Sequence, residues 1–180
     1  RCGKNSCVDS KDDPVLQFDR DGNLVKSFGA GLIDWPHGIH VDFDNNIWIT
    51  DAACPGCSKA DRNQGNLGHQ IIKFNSDGEV LMTLGQPGVA GNGEYQFNMP
   101  SDVLVAPNGD IFVADGHGSQ GNNRIVKYDS NGNFIKTWGV TGAEKGEFRD
   151  PHALAMDSEG KLYVGDRGNS RIQIFDQEGE

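Results

Sequence analysis

The sequence predicts an all-β protein of repeated four-stranded blades, a β-propeller architecture, on three observations. One phrase recurs: residues 15–29 read VLQFDRDGNLVKSFG, residues 71–85 IIKFNSDGEVLMTLG and residues 125–139 IVKYDSNGNFIKTWG, and a fourth copy starts at 172 with IQIFDQEG. A second phrase lies between these copies, at 36–51 (PHGIHVDFDNNIWITD), 100–115 (PSDVLVAPNGDIFVAD) and 151–166 (PHALAMDSEGKLYVGD). No segment sustains a helical period. Short runs of β-branched and aromatic residues instead flank Asp77-Gly78, Asn108-Gly109 and Asn131-Gly132, pairs that supply the positive φ angles of tight hairpins. Each phrase reads as a hairpin, and two hairpins make a blade.

In chain order, residues 14–29 supply strands c and d of one blade, residues 36–85 and 100–139 a full blade each, and residues 151–180 strands a to c of another. Propellers close with about four to eight blades, so the chain reads as part of a ring whose remaining blades lie outside it. Both Arg1 and Glu180 fall inside a blade, where bare edges would expose pairing groups. A truncated or processed piece is therefore expected.

With 16 Lys+Arg against 26 Asp+Glu, the formal net charge of the 180 residues is −10. A protein that neutralises phosphates needs a basic face, so nucleic acid and anionic membranes are excluded as expected partners. Hydrophobic residues make up 36% of the chain and no apolar run nears the ~20 residues of a bilayer span, which predicts a mature soluble segment. A globule of this mass buries roughly 70% of its unfolded surface. Four cysteines, Cys2, Cys7, Cys54 and Cys57, lie in polar stretches. Disulfides in an extracellular or periplasmic setting fit them, with half a zinc site or a redox pair at Cys54–Cys57 as the alternatives.

Blade topology brings the d-to-a crossovers, the starts of the innermost strands and the b–c loops to one face. The residue after each proline of the second phrase lines the channel mouth there: His37, Ser101 and His152. Two imidazoles from different blades have the residue type and direction of a metal site, whereas Ser101 is a poor ligand. Alternatively, a histidine after proline simply hydrogen-bonds a neighbouring loop. The b–c loops add His117, able to act as base, acid, ligand or plain solvated residue, and Arg167, able to clamp a carboxylate or to serve in an inter-blade ion pair.

Other candidates have structural readings. His40 packs between blades and His69 is a turn residue. Asp51, Asp115 and Asp166 cap turns, while Arg124 and Arg171 tie blades together. The Asp19-Arg-Asp-Gly22 stretch starts like a calcium loop but has no Glu at the twelfth position, so it reads as a hairpin turn.

The crossovers GEYQFNMP (93–100) and GEFRDP (146–151), each followed by a strand-b Asp and then NRIV or NSRIQIF, resemble NHL repeats over nearly the whole chain. Within that superfamily, WPHGI (35–39), PSDV (100–103), FVADG (112–116), PHAL (151–154) and DRGNSRIQ (166–173) are similar to the peptidyl-α-hydroxyglycine α-amidating lyase family. That resemblance implies a six-bladed ring. It implies a catalytic zinc on three histidines, two of them matched by His37 and His152 and the third in a later blade. It also implies a structural calcium held partly by the carbonyl of Ile39, and a substrate-contacting arginine at Arg167. The family's tyrosine base falls at His117, and the cysteines of its flanking disulfide have no counterpart at Gly118 and Asn98 or Met99. Imidazole has a far lower pKa than phenol and cannot serve as that base in the same way.

The expected function is zinc-assisted cleavage of a carbinolamide, a small-molecule or peptide substrate, to an amide and glyoxylate. His117 would take or relay the hydroxyl proton and Arg167 would grip the carboxylate. The alternative is a non-catalytic NHL scaffold, which needs no tight metal. A lactonase-type propeller ranks last, because its metal ligands are Glu, Asn and Asp.

Overall fold

A computed structural model of the chain describes Cys7, residues 10–54 and residues 66–180. They form thirteen strands: β1 (Val15–Phe18), β2 (Leu24–Phe28), β3 (Pro36–Val41), β4 (Ile47–Asp51), β5 (Gln70–Phe74), β6 (Val80–Gly85), β7 (Pro100–Val105), β8 (Ile111–Asp115), β9 (Arg124–Tyr128), β10 (Phe134–Trp138), β11 (Pro151–Met156), β12 (Leu162–Asp166) and β13 (Arg171–Phe175). Strands β3 to β6 and β7 to β10 each make a four-stranded antiparallel sheet in sequence order, β11 to β13 a three-stranded one, and β1 with β2 a two-stranded one. The expected all-β, blade-repeat fold is therefore present.

A single local device builds the hairpins. Asp19, Asp42, Asn75, Asp129, Asp157 and Asp176 each accept, through one side-chain oxygen, the N–H groups two and four residues ahead. Such Asx turns close the tip without strand pairing. At Asp19 this is the hairpin turn that the missing calcium-loop Glu predicted.

Alternation along β8 shows why the sheets stack. Ile111 and Val113 join one core with Trp48, Ile71 and Tyr128, while Phe112 and Ala114 join the next with Leu162, Val164 and Phe175. Successive strand residues point to opposite faces, so a sheet covered on both sides buries every residue of its middle strand, as β8 does. A third cluster, Ile33, Ile49, Ile72 and Phe74, packs against Val15 and Phe28.

Buried carboxylates fix the crossovers between sheets. Asp51, Asp115 and Asp166, each with no exposed surface, end β4, β8 and β12. They accept the N–H of Trp35, Asn98 and Arg149 respectively, at 2.7–2.9 Å. Arg124 pairs with Asp115 at 2.9 Å and donates to the carbonyls of Asn92, Gly93 and Gln96; Arg171 repeats this with Asp166 and the carbonyls of Ala143, Glu144 and Glu147. These arginines hold the chain where it passes from one blade to the next.

His69 is in the left-handed region, as are Asn123 and Ser170 at the equivalent positions. Its buried Nδ1 accepts the N–H of Met99 at 3.1 Å. His40 is half-buried, and burial lowers its pKa. Cys7 and Cys54 are both disulfide-bonded, whereas Cys2, Cys57 and most of the loop between β4 and β5 lie outside the described residues. Among those described, no helix is long and apolar enough to cross a membrane.

Candidate metal centre

The innermost strands β3, β7 and β11 stand side by side and each starts with a proline. Gly38 permits the closest approach: a Cβ there would lie 2.6 Å from both the Ser101 carbonyl oxygen and Asp102 Oδ1. Asp102 laces β7 to β11, accepting the N–H of Leu154 at 2.8 Å through Oδ2. Burial raises its pKa, with the Leu154 and Val103 amides opposing.

On this frame, three histidines converge. The ring centres of His37 and His117 are 4.6 Å apart, those of His37 and His152 4.9 Å, and those of His117 and His152 5.1 Å. One potential ligand atom from each lies within 4.8 Å of the others, and all three residues are half-buried. Trp35 wedges edge-on against His37 and His117, at 5.7 and 5.3 Å. Ser101, at the equivalent position of the middle strand, is fully buried, and its hydroxyl is engaged with the carbonyls of Ala114 and Pro151. It contributes its own carbonyl, which accepts from His37 Nδ1 at 2.7 Å and leaves Nε2 as the free nitrogen.

The loop after β8 delivers His117. The His117 N–H donates to the carbonyl of Met99 at 2.9 Å and the Gly118 N–H to Asp150 Oδ1 at 3.1 Å. A Cβ on Gly121 would lie 2.4 Å from the Cα of Gly116, so glycine alone fits this doubled-back loop. Arg167, immediately after β12, sets one guanidinium nitrogen 3.2 Å from Asp150 Oδ2 and remains over half exposed. Asp150 thus faces the His117 loop, Arg167 and, at 3.6 Å from its Nδ1, His152.

Burial disfavours the charged forms of His117 and His152. Burial first, then the neighbouring His37, pushes His117 down to about 4 and lowers His152. Neutral imidazole is the form that binds metal. The Nδ1 of His152 has no hydrogen-bond partner and lies 3.6 Å from Asp150 Oδ1. The residues present therefore fit a transition-metal ion. Around Ile39, which is exposed and pairs with Ile49, no cluster of three or more ligating side chains occurs among the described residues; a calcium there would need ligands from elsewhere.

Sequence reasoning picked out His37, His117, His152 and Arg167 but not Asp150 or Asp102. The signal for Asp150 was available: of the three residues preceding the blade prolines, Trp35, Met99 and Asp150, it alone is charged.

Comparison with known proteins agrees with this frame. The NHL repeat family profile matches residues 97–128 and 148–175. The chain is 34% identical over 171 residues to NHL repeat-containing protein 3 of Mus musculus, covering 91% of this chain and 45% of that one. It is 34% identical over 165 residues to a probable peptidyl-alpha-hydroxyglycine alpha-amidating lyase of Caenorhabditis elegans, covering 89% and 42%. Among solved structures, a streptogramin B lyase superposes with a TM-score of 0.59 at 16% identity, over 91% of this chain and 44% of that one, a likeness of fold. The fold and its mouth define a β-propeller protein. The chain carries NHL repeats and is similar to NHL-repeat proteins, and it spans under half the length of the curated relatives it matches.

Proposed function

We propose that the chain forms the metal-binding mouth of a propeller enzyme that cleaves peptidyl-α-hydroxyglycine-type carbinolamides to an amide and glyoxylate. The observation that carries this reading is the convergence of His37, His117 and His152, with Arg167 tied alongside through Asp150. Support comes from the relative named for that lyase. Zinc suits neutral imidazoles and, when bound, would supply Lewis acidity at the substrate hydroxyl. His37 and His152 would hold it. Arg167 keeps donors beyond the one facing Asp150 and would grip the substrate carboxylate. In the reaction the C–N bond breaks, the hydroxyl oxygen becomes the aldehyde oxygen of glyoxylate, and the hydroxyl proton ends on the amide nitrogen. A calcium at the Ile39 carbonyl belongs to the same proposal only with ligands from outside this chain. An oxidising compartment, extracellular or periplasmic, is proposed on the disulfide-bonded Cys7 and Cys54.

A binding scaffold is the second reading, favoured by relatives whose name, NHL repeat-containing protein 3, carries no reaction. Glyoxylate release from a peptidyl-α-hydroxyglycine, with and without chelator, separates the two. The lyase reading expects chelator-sensitive release that is lost in Arg167→Ala; a metal-loaded protein releasing no glyoxylate would leave the scaffold.

A further inference from the structure

Resting on the reading that the mouth binds a metal, we propose that His117 is itself a metal ligand, alongside His37 and His152. The rings of His37, His117 and His152 form a nearly equilateral triangle with sides of 4.6–5.1 Å between centres. Three imidazoles bound through nitrogen to one tetrahedral ion at about 2.0–2.1 Å place their ring centres about 5 Å apart. The triangle already has that size, and one potential ligand nitrogen from each ring lies within 4.8 Å of the others.

Placement of His117 follows from fixed parts. Its own amide is tied to the residue before β7 and the next amide to the residue before β11. The short 3₁₀ turn that follows, Gly118–Gln120, receives no cap from the His117 side chain. Trp35 holds its ring and that of His37 from one side. A base must aim a free nitrogen at substrate; this ring instead packs against two other imidazoles. One ion bridging the three nitrogens resolves that arrangement. The assignment also changes what the mouth can do. As a ligand, His117 is unavailable for proton transfer, and any base must come from another group.

The test is Co(II) titration of the metal-free chain, read by visible absorption and by bound-metal stoichiometry. Expected is one tetrahedral Co(II) per chain, with affinity falling by more than the roughly 10–100-fold that loss of a mere supporting partner costs in His117→Ala, and likewise in His37→Ala and His152→Ala. His117→Phe, which keeps an aromatic ring against Trp35, should lose the tetrahedral spectrum while retaining the wild-type circular dichroism. Unchanged Co(II) affinity and spectrum in His117→Phe, alongside loss in His37→Ala, would overturn the ligand role of His117 and leave the metal-dependent reading standing. No Co(II) or Zn(II) binding by the wild-type chain would overturn both.

Discussion

The imidazole of His37 donates its Nδ1 hydrogen to the main-chain carbonyl of Ser101 at 2.7 Å, a bond that crosses from one blade to the next. A main-chain acceptor cannot rotate away, so it fixes both the tautomer and the plane of the ring, the usual device for orienting a metal-binding histidine. Neutral His37 should therefore carry its proton on Nδ1. Long-range proton–nitrogen NMR at mildly alkaline pH checks this, and an Nε2-protonated tautomer would contradict it.

Asp150 is predicted to act through its neighbours. Its carboxylate faces Arg167 at 3.2 Å, His152 at 3.6 Å and the amide of Gly118. Its backbone lies at φ 65°, a region that asparagine also tolerates, so Asp150→Asn should fold normally. The loss of negative charge should weaken zinc binding by about 10–100-fold, measured by competition with a chromophoric chelator; an unchanged affinity would remove Asp150 from the site.

The metal-free protein should lose stability in acid through the mouth. His117 sits at about 4 against an ordinary value of 6.5. Between those values the unfolded chain binds a proton that the folded chain does not, so stability is full above pH 6.5 and falls as pH drops toward 4. His152, shifted the same way, adds to this. Urea midpoints across that window should decline more steeply for wild type than for His117→Phe, and parallel curves would contradict the assignment.

Crossover carboxylates should matter far more than surface ion pairs. Asp115→Ala leaves Arg124 and the amide of Asn98 buried without their partner and should cost about 3–5 kcal/mol in urea unfolding. Lys26→Ala, whose partner Asp77 is 77% exposed, should cost no more than about 1 kcal/mol. Comparable losses in the two variants would mean that the crossovers are not the points that hold the blades.

The blade pattern was legible because short β-branched and aromatic runs and the Asn/Asp-Gly turns between them are local signals that recur along the chain. Strands such as Ile111–Asp115 and Arg124–Tyr128 declare themselves within a dozen residues. The mouth was half legible. Repeat equivalence puts His37 and His152 at matching positions after proline, so their convergence follows from topology alone. Ala52 and Arg167 make the same N–H bond to the residue before the blade proline as His117 does, but neither is a histidine, and the His117 ring's place depends on a Gly116–Gly121 loop folding back on itself and on the Gly118 amide tied to Asp150. Asp150 stood out only as the one charged residue before a blade proline; its importance arises from Arg167 and the Gly118 amide on other segments as well as nearby His152.

On the proposed function, the histidines of this mouth hold one metal ion. Native mass spectrometry of the zinc-loaded chain tests it most directly, with His37→Ala and His152→Ala in parallel. One zinc per wild-type chain and none in either variant is the predicted result. A wild-type chain that remains metal-free in excess zinc, or zinc retained in both variants, would contradict it.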